Sequence, residues 1–135
     1  MTVSLTILGV SARAAASSAR RAGYQPYSID LFADCDTAAL GPAIRIADYP
    51  AGFEAALANA PDCPWMYTGG LENYPDLVDR LASIRPLWGN TGDVLRRVRD
   101  PFSLSAAVRS WGFSFPAISR QKPQVPEVTR WISEC

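Results

Sequence analysis

The first nineteen residues constrain the fold more than any other part of the chain. Val3-Ser4-Leu5-Thr6-Ile7-Leu8 is an apolar run that stops at Gly9, passes through Val10-Ser11-Ala12-Arg13 and gives way to Ala14-Ala15-Ala16-Ser17-Ser18-Ala19. A strand that ends at a glycine and turns straight into a small-residue helix is how a parallel sheet offers backbone N–H groups and a positive helix end to an anion. An α/β ligand-binding domain is therefore expected. The helix is read from Ala12 to Ala22, with Ser11 as its N-cap and Gly23 as its stop. Ala15, Ala19 and Ala22 fall at helical spacing and allow close approach to a sheet, while Arg13, Arg20 and Arg21 reach solvent or a ligand.

Further strands and helices alternate behind this opening. Tyr27 to Phe32 reads as a second strand, Ala43 to Ala47 as a third, Trp65 to Thr68 as a fourth and Leu87-Trp88 as a minimal fifth. Helices are expected over Ala51 to Asn59, with Phe53, Ala56 and Leu57 inward, and over Asp76 to Ser83, with Pro75 in the first turn. Two more are expected over Asp93 to Val98, capped by Thr91, and over Ser103 to Ser110 after Asp100-Pro101. The pattern predicts a Rossmann-like open parallel sheet of about four to five strands with helices on both faces. Its first strand, helix and second strand form a right-handed βαβ unit. From Phe115 the chain is rich in proline (Pro116, Pro123, Pro126) and reads as linker or surface strand.

Composition narrows the function. A chain of 135 residues makes one compact domain that buries roughly two-thirds of its unfolded surface. Apolar residues make up 48% and charged residues 19%, with 13 basic and 13 acidic side chains, so neither disorder nor a nucleic-acid surface is expected. No apolar run reaches the roughly 20 residues that span a bilayer, and no leader pattern precedes the first strand, which makes cytoplasm the expected location. Cys35, Cys63 and Cys135 stand at unrelated spacings, and the chain has no histidine. Zinc sites of the usual kind and imidazole bases are thereby excluded, and the cysteines read as buried or incidental thiols.

Ligands of an open parallel sheet bind beyond the carboxyl ends of its strands. Three loops fall there: Gly9 to Arg13, Gly69 to Asn73, and Gly89 to Thr91. Their candidate binding residues are Gly9, Ser11, Arg13, Gly70, Glu72, Asn73 and Asn90. Each has a plainer alternative: Gly9 and Gly89 as turn residues, Ser11 and Asn73 as helix caps, Arg13 as a solvated charge. The pair Gly69-Gly70 beside Glu72-Asn73 is the loop hardest to explain by turn geometry. Asp30, Asp34 and Asp36 suit a ribose hydroxyl, a cation or a solvated turn. Gly9, Ser11 and Ala14 occupy the spacing of a dinucleotide fingerprint with Asp30 about 20 residues on, but two of its three glycines are missing.

Gly9-Val10-Ser11-Ala12-Arg13-Ala14-Ala15-Ala16-Ser17-Ser18-Ala19-Arg20-Arg21-Ala22-Gly23-Tyr24 resembles the opening of ATP-grasp proteins related to biotin carboxylase and carbamoyl phosphate synthase. Gly70-Leu71-Glu72-Asn73-Tyr74-Pro75 is similar to that group's Gly-x-Glu-Asn-x-Pro loop. Gly89-Asn90-Thr91 with Asp93 to Asp100 resembles its Gly-Asn segment and following helix, and Trp111-Gly112-Phe113-Ser114-Phe115-Pro116 its Gly-hydrophobic-x-hydrophobic-Pro link. The resemblance implies a pre-ATP-grasp domain over residues 1–118, followed at 119–135 by a linker or the start of an ATP-grasp domain. It implies the substrate side of a ligase that joins a carboxylate to an amine or thiol, with Arg13 on a carboxylate or phosphate and Glu72 on an amine. No cofactor is expected in this chain. ATP and magnesium are expected only with the ATP-grasp domain, because the stretch around Trp131 to Cys135 lacks the nucleotide-binding lysine, Gly-rich loop and magnesium carboxylates of relatives. Expected partners are a small-molecule carboxylate or amine and an ATP-grasp domain in cis or in trans. Neither nucleic acid nor membrane is expected, and Trp111, Phe113, Phe115 and Trp131 suggest self-association if their cover is missing. The chain is thus expected to be inactive alone, as a piece of a longer enzyme or a truncated product; the alternatives are a stand-alone nucleotide or dinucleotide module and a subunit that docks on a separate ATP-binding chain.

Overall fold

Alternation along the first strand sets the layers. In the computed structural model, which describes residues 3–121, β1 (Ser4–Leu8) is buried from Leu5 to Leu8. Leu5 and Ile7 pack to one side of the sheet and Leu8 to the other, as a central parallel strand requires. β2 (Gln25–Asp30), β3 (Ala43–Arg45) and β4 (Trp65–Tyr67) complete a four-stranded sheet in the order β3-β2-β1-β4. Every pair is parallel, so the fold is α/β. Leu8 lies opposite both Ile29 and Tyr67, which brings the carboxyl ends of the strands level. The second strand begins and ends two residues earlier than its apolar pattern predicts. Leu87-Trp88 is not a strand: Leu87 makes one isolated parallel bridge to Trp65.

α1 (Arg13–Arg21) covers the Leu5 and Ile7 side. Its inward stripe is Ala12, Ala16 and Ala19, with Ala15 half-buried, and Ala22 is an exposed C-cap. The predicted stripe was displaced because the helix is rotated to set Ala12 and Ala16 on the strand. Gly23 ends it as expected, at φ +88°, with its N–H on Arg20 O at 3.1 Å and that of Tyr24 on Ala19 O at 3.0 Å. The opposite side carries α3 (Gly52–Ala58) and α4 (Pro75–Ile84), whose Phe53, Leu57, Leu77, Val78 and Leu81 pack with Leu8, Ile29 and Trp65. Burying side chains of this size contributes about 1.5–3 kcal/mol each. Cys63 is buried with its Sγ 3.3 Å from Thr6 Oγ1, while Cys35 is exposed at the start of the short helix α2 (Cys35–Ala38).

The chain divides into two compact units, Met1–Arg96 and Arg97–Cys135. α5 (Gly92–Arg99) begins in the first. Its start is held by α4: Asp79 Oδ1 accepts from the Gly92 N–H at 2.9 Å, and Oδ2 accepts from Arg96 Nη2 at 2.9 Å. The Thr91 carbonyl accepts from Leu95 N–H at 3.0 Å, consistent with a cap position. In the second unit, Asp100 caps α6 (Pro101–Ser110) by accepting from the N–H groups of Phe102 and Ser103, and the Arg120 guanidinium lies 4.2 Å from the Phe102 ring centre. The linker expected over 119–135, with Lys122, Pro123, Pro126, Trp131 and Cys135, falls outside the described residues from 122 onward.

The acid at the end of β2 is neither a solvated turn nor a ribose ligand. Asp30 is 1% exposed. Its Oδ2 accepts from Ala12 N–H at 2.9 Å, and its Oδ1 accepts from Phe32 and Ala33 N–H at 2.9 and 2.7 Å. Ser11 consequently does not cap α1: the N-cap position is Ala12, without a side-chain bond of its own, and the helix end is served by Asp30 from the neighbouring strand. Asp34 instead caps α2 through Thr37 N–H at 2.8 Å, and Asp36 pairs with Arg13 at 3.0 Å.

Asp30→Ala strands three donors, each costing about 1–3 kcal/mol when unpaired. Urea unfolding should show a loss of roughly 3 kcal/mol or more, and a smaller loss for Asp30→Asn, which keeps one acceptor oxygen. A second expectation concerns acid. The Gly92 N–H and then Arg96 hold the Asp79 carboxyl below its ordinary value of 3.8. A carboxylate with a depressed folded value contributes stability above its unfolded value and loses it as pH falls through the folded one. The difference in urea midpoint between wild type and Asp79→Asn should therefore be largest near neutrality and shrink below about pH 4.

Candidate functional site

The strand order reverses at β1: β2 and β3 extend to one side and β4 lies on the other. A crevice between the β1 and β4 loops is the expected ligand position in such a sheet. Here the protein's own groups fill its first layer. Thr68 N–H donates to Leu8 O at 2.8 Å, Val10 N–H to Gly69 O at 3.0 Å, and Thr68 Oγ1 to Ser11 O at 3.1 Å. Gly9 is required by this closeness, because a Cβ there would collide with Thr68 Oγ1. The Gly9 N–H is taken by Ile29 O at 3.3 Å and the Ala12 N–H by Asp30. The opening loop is thus a tight seam, with the exposed Ser11 at its surface.

Beyond the seam lies the second loop. Gly70 has φ +109°, and a Cβ on it would stand 2.5 Å from Tyr49 Oη and 2.6 Å from Val10 Cγ2. Its N–H donates to Glu72 Oε2 at 2.5 Å, and its carbonyl accepts from Asn73 Nδ2 at 3.1 Å. Both side chains fold back over the turn that leads through the 3₁₀ segment Leu71–Asn73 into α4, whose N-cap position is Tyr74, without a side-chain cap bond. Glu72 is half-buried, anchored by one oxygen, with Leu71 fully buried beneath the turn.

Asn90 joins the same edge through a residue that sequence analysis did not single out. Tyr67, the last residue of β4, donates from its hydroxyl to Asn90 O at 2.8 Å. Burial raises the Tyr67 pKa, with a further push from the Glu72 charge, so one tyrosine lies within electrostatic reach of both loops. Its alternation with Trp65 was legible; its partner 23 residues on was not. Tyr49 was missed for the same reason, since it follows β3 in a loop and meets Gly70 only in the folded chain. Arg13 stands apart. It pairs with Asp36 on the β2 side, both side chains more than half exposed, and no described contact ties it to Glu72 or Asn90.

A groove of about 300 Å³ runs between Pro50-Ala51 and the Asn73-Tyr74-Pro75 turn, with Arg80 at its edge. Among the described residues no three carboxylate, thiol or imidazole side chains gather where they could hold a metal ion. No described helix is long and apolar enough to cross a membrane.

No family model matches the chain, and no curated protein matches it significantly in sequence. Solved structures do match its fold. N5-carboxyaminoimidazole synthetase from Staphylococcus aureus superposes with a TM-score of 0.65 at 18% identity, over 98% of this chain and 36% of that one. An N5-carboxyaminoimidazole ribonucleotide synthetase in its ADP complex gives 0.64 at 20%, over 99% and 36%. A single-chain, multi-domain long-chain acyl-CoA carboxylase gives 0.67 at 16%, over 98% and 15%. The chain therefore spans little more than a third of the first two and less of the third. These are ATP-grasp enzymes, and the likeness shows that this chain has the fold of their amino-terminal domain.

Gly70→Ala tests the loop on which Glu72 turns. A methyl group at this φ, against Tyr49 and Val10, should cost roughly 1–3 kcal/mol in denaturant unfolding. Stability equal to wild type would mean that the loop follows another path.

Proposed function

We propose that this chain, folded as the amino-terminal domain of ATP-grasp enzymes, supplies the substrate side of a carboxylate–amine or carboxylate–thiol ligase and does not turn over ATP alone. The observation that carries the reading is the convergence of Glu72, Asn73 and the Tyr67-held Asn90 loop at the carboxyl edge of β4, the side on which the strand order reverses. Glu72 keeps one oxygen for a ligand amine while Gly70 fixes the other. Arg13 holds a ligand carboxylate or phosphate by exchanging its partner: an ion pair as exposed as Arg13–Asp36 contributes about 0–1 kcal/mol, so the exchange costs little. Gly9 and Ser11 form the wall of the site, through backbone rather than side chain.

ATP and magnesium belong, on this reading, to a following ATP-grasp domain, in cis or on a separate chain, in the cytoplasm. Phosphoryl transfer needs cations positioned around the transferring group, and among the described residues no three carboxylate, thiol or imidazole side chains gather to hold a metal ion. The alternative of a stand-alone dinucleotide module is disfavoured by the opening loop. At the start of α1 a phosphate could take the Ala12 N–H only by displacing the buried Asp30 carboxylate.

Calorimetric titration of the purified chain with magnesium-ATP and, separately, with NAD distinguishes the readings. No heat of binding up to millimolar nucleotide is expected. Micromolar affinity for either would overturn the assignment and favour the stand-alone module.

A further inference from the structure

We propose that Tyr49 is a further ligand-binding residue of this edge, its phenol O–H donating to an acceptor atom that adjoins the amine held by Glu72. The proposal rests on the substrate-side reading above. Tyr49 is half-buried and its ring is fixed: it stands edge-on to Phe53, with centres 5.8 Å apart, and edge-on to Tyr74 at 5.7 Å. Its hydroxyl lies against Gly70, the residue whose N–H Glu72 holds, as the 2.5 Å approach of a Gly70 Cβ to Tyr49 Oη requires. The phenol and the carboxylate thus converge on one backbone position from two different loops.

What singles out this tyrosine is the place of its hydroxyl, against Gly70 and near Glu72. A partly buried tyrosine ordinarily finds a hydrogen-bond partner. Tyr67 has one in Asn90 O, whereas the Tyr49 hydroxyl has none among the described residues. With the ring packed edge-on to two aromatic neighbours, its donor is left for a molecule at the edge. Burial, with the nearby Tyr74 and the negative Glu72, raises the Tyr49 pKa and keeps the phenol a donor at neutral pH. A carboxylate acceptor beside a phenol donor complements a small amine that carries an acceptor oxygen or nitrogen on a neighbouring carbon. A simple alkylamine uses only half of the pair.

Ethanolamine and ethylamine separate the two halves, since they differ by one hydroxyl. Each is titrated into the 13C-labelled chain while the Glu72 side-chain carboxyl shift is followed, for wild type and for Tyr49→Phe, which keeps the ring and its packing. The expected result is that Tyr49→Phe raises the ethanolamine Kd by roughly threefold to tenfold, the worth of one hydrogen bond, and leaves the ethylamine Kd unchanged. Equal weakening of both amines would mean that Tyr49 acts through packing, and no change in either would mean that its hydroxyl faces no ligand; both overturn the proposal while keeping Glu72 as an amine site. If neither amine moves the Glu72 signal in wild type, the Glu72 reading fails and the Tyr49 proposal falls with it.

Discussion

The buried carboxylate of Asp30 ties together three parts of the chain. It sits at the end of β2, takes the Ala12 N–H at the start of α1, and fixes its own turn through Phe32 and Ala33. A helix start carries unpaired N–H groups and partial positive charge, so a carboxylate at that point is both bonded and electrostatically favoured. Charge-assisted bonds of this kind are about twice as strong as neutral ones. Because the α1 start is pinned, the Gly9 to Ala12 loop has one path. That path brings Gly9 against Thr68 and Val10 against Gly69.

The same carboxylate stands where such a sheet offers backbone N–H groups to an anion. In an open parallel sheet the first helix start is the natural place for an anion, and here the internal Asp30 carboxylate takes one of its N–H groups, that of Ala12. Arg13 pairs with Asp36 on the β2 side, and on the β4 side Glu72, Asn73, Tyr49 and Asn90 come from three separate connections. They are held by side chains rather than by the sheet: Glu72 and Asn73 by the Gly70 turn, Asn90 by Tyr67, and the α5 start beyond it by Asp79 and Arg96. An edge assembled from such latches keeps its rigidity through few bonds. The strands beneath supply the level platform on which those latches meet.

Particular residues show how much could be read in advance. The apolar run at Leu5 to Leu8, the glycine stop at Gly23, and Pro75 in the first turn of α4 are local signals: strand alternation, helix ending and the fixed φ of proline act within a few residues. They led to the right elements and the right fold class, with ends displaced by one or two positions. The acidic cluster was misread at Asp30, while Asp34 and Asp36 are solvated as expected, because three aspartates in seven residues look alike in sequence. Their surroundings divide them into a buried brace (Asp30), a helix cap (Asp34) and an ion-pair partner (Asp36).

The sequence by itself determined the α/β alternation, the parallel sheet and the three loops at its carboxyl edge, because these follow from periodicity and turn chemistry over short spans. Only the tertiary structure decided what each loop residue does. Ser11 lost its capping role to an acid 18 residues after Ala12, Gly70 answers to a tyrosine on another connection, and Tyr67 reaches Asn90 across 23 residues. Such partners are set by the strand order β3-β2-β1-β4 and by the helices packed on that sheet, which bring distant connections side by side. No local preference encodes that adjacency; it comes from burying both faces of one sheet at once.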